Sequence, residues 1–102
     1  MAIRLNVMLR QAQHDKINMH DLHLANQILK LILDYAQKNN LNKVTGAVIE
    51  LGQITEHGSE IAPENLEFNL KMLAKNTVAE GLNVDIRKVK GGSWVLKAIK
   101  GE

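Results

Sequence analysis

Two spacings of apolar residues divide the chain and constrain its fold more than any other feature. From residue 21 to 39, Leu22, Ala25, Ile28, Leu29, Ile32 and Ala36 recur every three or four positions, which is the period of one helix face. Asp21 stands where a side chain can cap the free amides of a first turn. Asn39 and Asn40 end the run, and either suits the left-handed conformation that closes helices. The pattern then changes. Residues 43–52, with Val44, Val48, Ile49 and Leu51, are rich in β-branched side chains and stop at Gly52, as strands do. A loop over 53–62 leads to Pro63, well placed at the first position of a second helix. That helix carries Leu66, Leu70 and Leu73, with Phe68 and Met72 beside them, and should stop near Asn76.

In residues 82–89, Leu82, Val84 and Ile86 alternate with Asn83, Asp85 and Arg87, the signature of a half-buried strand. Gly91-Gly92 then reads as a hairpin turn. A third strand over 93–99 would point Trp94, Leu96 and Ala98 one way and Val95, Lys97 and Ile99 the other. The order helix, strand, helix, strand, strand predicts an α+β fold, with two amphipathic helices on one face of a small three-stranded mixed sheet. Ile3, Leu5, Val7 and Leu9 also alternate, so residues 1–18 form an N-terminal extension that is either an edge strand or a mobile tail. Residues 19–102 form the domain proper, and 102 residues hold one core, not two.

Composition excludes several functions. The chain has no cysteine, hence no disulfide, thiolate metal site or thiol nucleophile. That fits a reducing compartment, and the cytoplasm is expected. The net charge is only +2, without a basic run or an aromatic stacking platform, so nucleic acid is not an expected partner. No apolar stretch reaches membrane-spanning length. No nucleophile triad or paired acid and base stands out, and an enzyme is not expected.

The chemistry concentrates in Met19-His20-Asp21-Leu22-His23. A histidine and a carboxylate at a helix start sit beside main-chain nitrogens that the helix does not use. An imidazole with such nitrogens can build the square-planar, nitrogen-rich site that Ni(II) and Cu(II) prefer. His23, three residues on, can share a helix face with His20. Equally, two histidines in a first turn are commonly solvated. His57, between Glu56 and Gly58, reads as a polar loop residue, and His14 as a solvated one. Glu64 and Glu67 suit the start of the second helix electrostatically. Trp94 reads as a core or sheet-face anchor.

Met19-His20-Asp21, Leu24-Ala25 and Ile28-Leu29 are followed in order by Lys43-Val44-Thr45, Glu50-Leu51-Gly52, Pro63-Glu64-Asn65-Leu66-Glu67-Phe68 and Thr77-Val78-Ala79-Glu80-Gly81. This ordered set resembles the hydrogenase nickel-incorporation proteins of the HypA family. The resemblance implies a metallochaperone that binds Ni(II) transiently for maturation of NiFe hydrogenase, and in some organisms urease. Its expected partners are the maturation GTPase HypB and the hydrogenase large subunit. It also implies that nickel is held by His20 and by the backbone at Met19 and Asp21, with the Asp21 carboxylate as a further candidate, to which the spacing from His20 adds His23.

Three departures accompany the resemblance. The family's initiator Met is internal here as Met19, so its amine is replaced by a peptide nitrogen. Asp21 stands where the family has Glu. The paired Cys-x-x-Cys motifs of the family's zinc ribbon are missing, leaving only Lys90-Gly91-Gly92-Ser93 between the last two strands, and no bound zinc is expected. A zinc-free interaction or regulatory module that has lost metal transfer is the alternative reading.

Overall fold

The computed structural model describes the backbone of residues 5–14, 21–56 and 59–102, and the side chains of residues 24–54 and 60–102. The elements run in the order β1 (Leu5–His14), α1 (Asp21–Lys38), β2 (Val44–Leu51), β3 (Thr55–Glu56), β4 (Ser59–Glu60), α2 (Pro63–Leu73), β5 (Asn83–Lys88) and β6 (Ser93–Gly101). The three expected strands form the mixed sheet. β2 is central, parallel to β5 and antiparallel to β6. β1 adds a fourth strand outside β6, giving the order β1-β6-β2-β5. β3 and β4 pair only with each other, so the segment read as a loop over 53–62 contains a two-residue ladder.

One hydrophobic core joins the helices to the sheet. Leu24, Ala25, Ile28, Leu29, Ile32 and Ala36 of α1 meet Leu66 and Leu70 of α2 and Ala47, Ile49 and Leu51 of β2. The helices pack on each other, with α1 reaching β6 and α2 reaching β5. Emptying a fully buried site such as Leu66 would cost about 2–5 kcal/mol in lost transfer energy and cavity formation.

Local chemistry explains the element ends. α1 closes with Asn40 at φ +56°. The Leu41 N–H donates to the Ala36 carbonyl at 2.8 Å and the Asn40 N–H to the Gln37 carbonyl at 3.1 Å. This pair of bonds satisfies carbonyls that the last turn would otherwise leave free. α2 begins with Pro63 at its first turn after Ala62, because a missing N–H costs nothing there. It ends at Leu73, a little earlier than the apolar pattern suggests. Ala74 then accepts from the Thr77 hydroxyl at 2.6 Å, and Asn76 turns the chain at φ +65°.

Two expectations are corrected. Gly91-Gly92 does not make a hairpin, because β2 lies between β5 and β6. The link arches over the end of β2. The Val89 N–H donates to the Leu51 carbonyl at 2.9 Å, the Gly52 N–H to the Ser93 carbonyl at 2.8 Å, and the Gln53 N–H to the Gly91 carbonyl at 2.6 Å. A Cβ on Gly52 would stand 2.5 Å from the Ser93 carbonyl oxygen, so only glycine lets the arch settle there. Diglycine signals a reversal but not which strands flank it.

The facing of β6 also changes phase. Trp94 is opposite Leu51, Leu96 opposite Ile49, and Ile99 opposite Ala47, with a register shift between them. The extra residue at Lys97 acts as a bulge. Ile99 therefore joins Trp94 and Leu96 on the core face, while Ala98 falls opposite Val48 on the other.

Candidate metal centre

The site is built from the direction of α1. Its C-terminal turn leads within a few residues into β2, so helix and strand run antiparallel. Eighteen helical residues span about 27 Å, and the eight residues of β2 span about 26 Å. α1 therefore starts above the end of β2, where Leu51 and Gly52 meet the arch. The beginning of β6 and the end of β1 reach the same pole, since His14 is opposite Ser93. The β3–β4 ladder leaves from it, and Glu60 ties that ladder to β5 through an ion pair with Lys88.

Asp21 is the first residue of α1 and His23 the third, so both occupy the turn whose N–H groups have no helical partner. Their side chains are outside the described set. Met19 and His20 immediately precede α1 in sequence and lie outside the described residues, as does His57. Among the described residues no three His, Cys, Asp or Glu side chains are grouped closely enough to hold a metal. Glu64 is in the first turn of α2, and Glu67 pairs with Lys71 at 3.3 Å on the surface. Both are engaged as helix-stabilising charges.

The sequence offers no thiolate set for a structural zinc. The arch over residues 89–93 spends backbone groups on the end of β2 and the two residues after it.

Sequence reasoning missed two polar atoms. Trp94, 1% exposed, buries its indole Nε1 without a hydrogen-bond partner among the described residues. Gln27, on the second turn of α1, buries its Oε1 in the same condition. An unpaired buried donor or acceptor costs about 1–3 kcal/mol. No sequence signal marks either atom, because the deficit is created by packing.

The described elements define a small α+β protein, two helices packed on one mixed four-stranded sheet. A family described as "Hydrogenase/urease nickel incorporation, metallochaperone, hypA" matches residues 19–96. The chain belongs to the HypA family. It is 33% identical over 78 residues to the hydrogenase maturation factor HypA of Albidiferax ferrireducens, covering 76% of this chain and 66% of that one. It is 35% identical over 71 residues to the corresponding protein of Methanobrevibacter smithii, covering 70% and 54%. The solution structure of the Ni metallochaperone HypA from Helicobacter pylori shares the fold, with a TM-score of 0.57 at 19% identity over 78% of this chain and 70% of that one. The chain thus spans a little over half to about two thirds of the length of these curated relatives.

Proposed function

We propose that this chain binds Ni(II) and delivers it for the maturation of NiFe hydrogenase, with urease as a second client enzyme. The observation that carries the reading is that the family match opens at Met19, two residues before Asp21, the first residue of α1. Residues 19–102 are the nickel-binding unit and residues 1–18 an extension of it. His20 supplies a neutral imidazole. Main-chain nitrogens around Met19 and Asp21 supply further donors, the Asp21 carboxylate lends negative charge, and His23 is placed one turn on to add a nitrogen. Ni(II) favours such a nitrogen-rich, planar set.

A site with few protein ligands at a helix start binds cargo that a partner can take over. The chain works as a carrier, not as an enzyme. Its partners are the GTPase HypB and the hydrogenase large subunit, and its compartment is the cytoplasm. No described helix is long and apolar enough to cross a membrane. The test is calorimetric titration of Ni(II) into the full chain and into His20→Ala. The parent should bind one equivalent and the variant should not. Unchanged uptake by the variant would remove the site and favour an interaction module.

A further inference from the structure

The two orphaned polar atoms lie at the same end of the fold. Trp94 is the second residue of β6, opposite Leu51 at the end of β2. Gln27 is the seventh residue of α1. α1 packs on β6, and both elements start at the pole where β2 ends, so the opening turns of the helix lie over the first residues of the strand. Trp94 Nε1 is a donor and Gln27 Oε1 an acceptor. Among the described residues neither has a partner, and each would regain a hydrogen bond on meeting water. The far end of α1 carries no such deficit. There Asn39 donates through its Nδ2 to the Tyr35 carbonyl at 2.8 Å, and the Leu41 and Asn40 N–H groups close the last turn. The helix is anchored at one end and polar-deficient at the other.

We propose that the turns of α1 from Asp21 through Gln27 open locally as a unit, and that this opening, which rests on the nickel reading above, is the step that releases the ion. Opening costs the apolar contacts of Leu24 and Ala25, both fully buried, and the hydrogen bonds of about two turns. It returns water to Trp94 Nε1 and Gln27 Oε1, and hydrating two orphaned atoms offsets part of that cost. The offset applies at this end alone, so Ile32 and Ala36 stay docked in the core while the start of the helix lifts. Segments with a low local opening cost are where ligands are commonly exchanged. Asp21 and His23 belong to the opening turns and His20 directly precedes them. Opening therefore separates donors that the intact helix start holds in one place.

The experiment is amide hydrogen exchange by NMR on the full chain and on Gln27→Met, which keeps the length of the side chain and removes the orphaned oxygen. Gln37→Met, at an exposed position of the same helix, controls for helix propensity. In the parent, the Ile28 and Leu29 amides should exchange at least about tenfold faster than those of Ala47 and Ile49 in the central strand. Gln27→Met should slow Ile28 and Leu29 by about tenfold, the change in opening equilibrium that relief of one unpaired buried group supports. Gln37→Met should leave them unchanged. Nickel passed from the loaded chain to a chelator should leave Gln27→Met more slowly by a similar factor. Ile28 and Leu29 amides as protected as those of β2 would overturn the proposal, as would a Gln27→Met chain that exchanges like the parent. Slowed exchange with nickel release at the parent's rate would sever opening from release and overturn it too. A parent that takes up no nickel would end the proposed function and the release step with it, while the exchange rates still judge the opening by themselves.

Discussion

The two poles of the domain are finished differently. At the pole where α1 ends and β2 begins, the backbone is tied off. The Lys43 N–H donates to the Glu102 carbonyl at 3.1 Å, the Glu102 N–H to the Lys43 carbonyl at 2.9 Å, and the Val44 N–H to the Val78 carbonyl at 2.8 Å. Asn40 closes the helix with its two bonds. At the opposite pole α1 begins at Asp21, and among the described residues Trp94 Nε1 and Gln27 Oε1 are buried without hydrogen-bond partners. One pole supplies stability. The other tolerates local cost, as binding regions commonly do, and it is the pole to which the proposed nickel site belongs.

The sharpest way to break this contrast is at the open pole. His20→Ala should eliminate one-to-one nickel binding in calorimetry while moving the melting temperature by no more than about 2–4 °C, because on the proposed reading His20 serves the metal and not the core, and substitutions away from the core typically change stability by no more than about 0.5 kcal/mol. A large loss of stability would mean that the His20 segment is part of the structural frame.

The next largest effect belongs to the closed pole. A Cβ on Gly101 would collide with the Lys43 carbonyl oxygen and come 2.9 Å from a Leu41 methyl. Gly101→Ala should therefore lower unfolding free energy by about 1–3 kcal/mol, the usual cost of overpacking, measured by urea denaturation. Nickel affinity should be unchanged at a temperature where the variant is folded. Coupled losses of stability and affinity would show that the poles are not independent.

Asn40→Ala is a smaller perturbation at the same pole. Alanine at φ +56° meets the left-handed penalty of about 1–2 kcal/mol, part of which Asn already bears. The expected loss is thus about 1 kcal/mol or less. Asn40→Gly should instead be neutral or slightly stabilising, since glycine adopts that conformation without steric cost. Equal destabilisation by both substitutions would assign the effect to the Asn side chain and not to the backbone.

The closed pole was largely legible in the sequence. Paired asparagines after an apolar helix stripe predict a left-handed closure, and Asn40 provides it. Pro63 likewise marks the start of α2. These are local signals with local causes. The arch was not legible, because whether Gly91-Gly92 joins neighbouring strands depends on β2 entering between them. The slip at Lys97 was hidden for a similar reason. Strict alternation was the simplest pattern for 93–99, and only pairing with β2 on one side and β1 on the other shows that it fails. At the candidate centre, the His20 segment was visible through its residue types and its family resemblance. The orphaned atoms of Trp94 and Gln27 arise from three-dimensional packing.

The smallest expected effect is on folding when metals are removed. Every residue of the hydrophobic core is apolar, and no cysteine exists to make zinc part of the folding free energy. Treatment with a strong chelator should leave the helical circular dichroism and the melting temperature unchanged. The same chelator should strip nickel from the open pole, so binding and folding separate in one sample. Protons should act on binding as well. An imidazole must be neutral to donate to a metal, so nickel affinity should fall as pH drops through about 6.5, the ordinary histidine value. It should rise on the alkaline side, where main-chain nitrogens lose protons more readily to the metal. A melting temperature that followed metal removal, or an affinity indifferent to pH across that range, would place the metal within the structural frame or transfer it to donors other than His20.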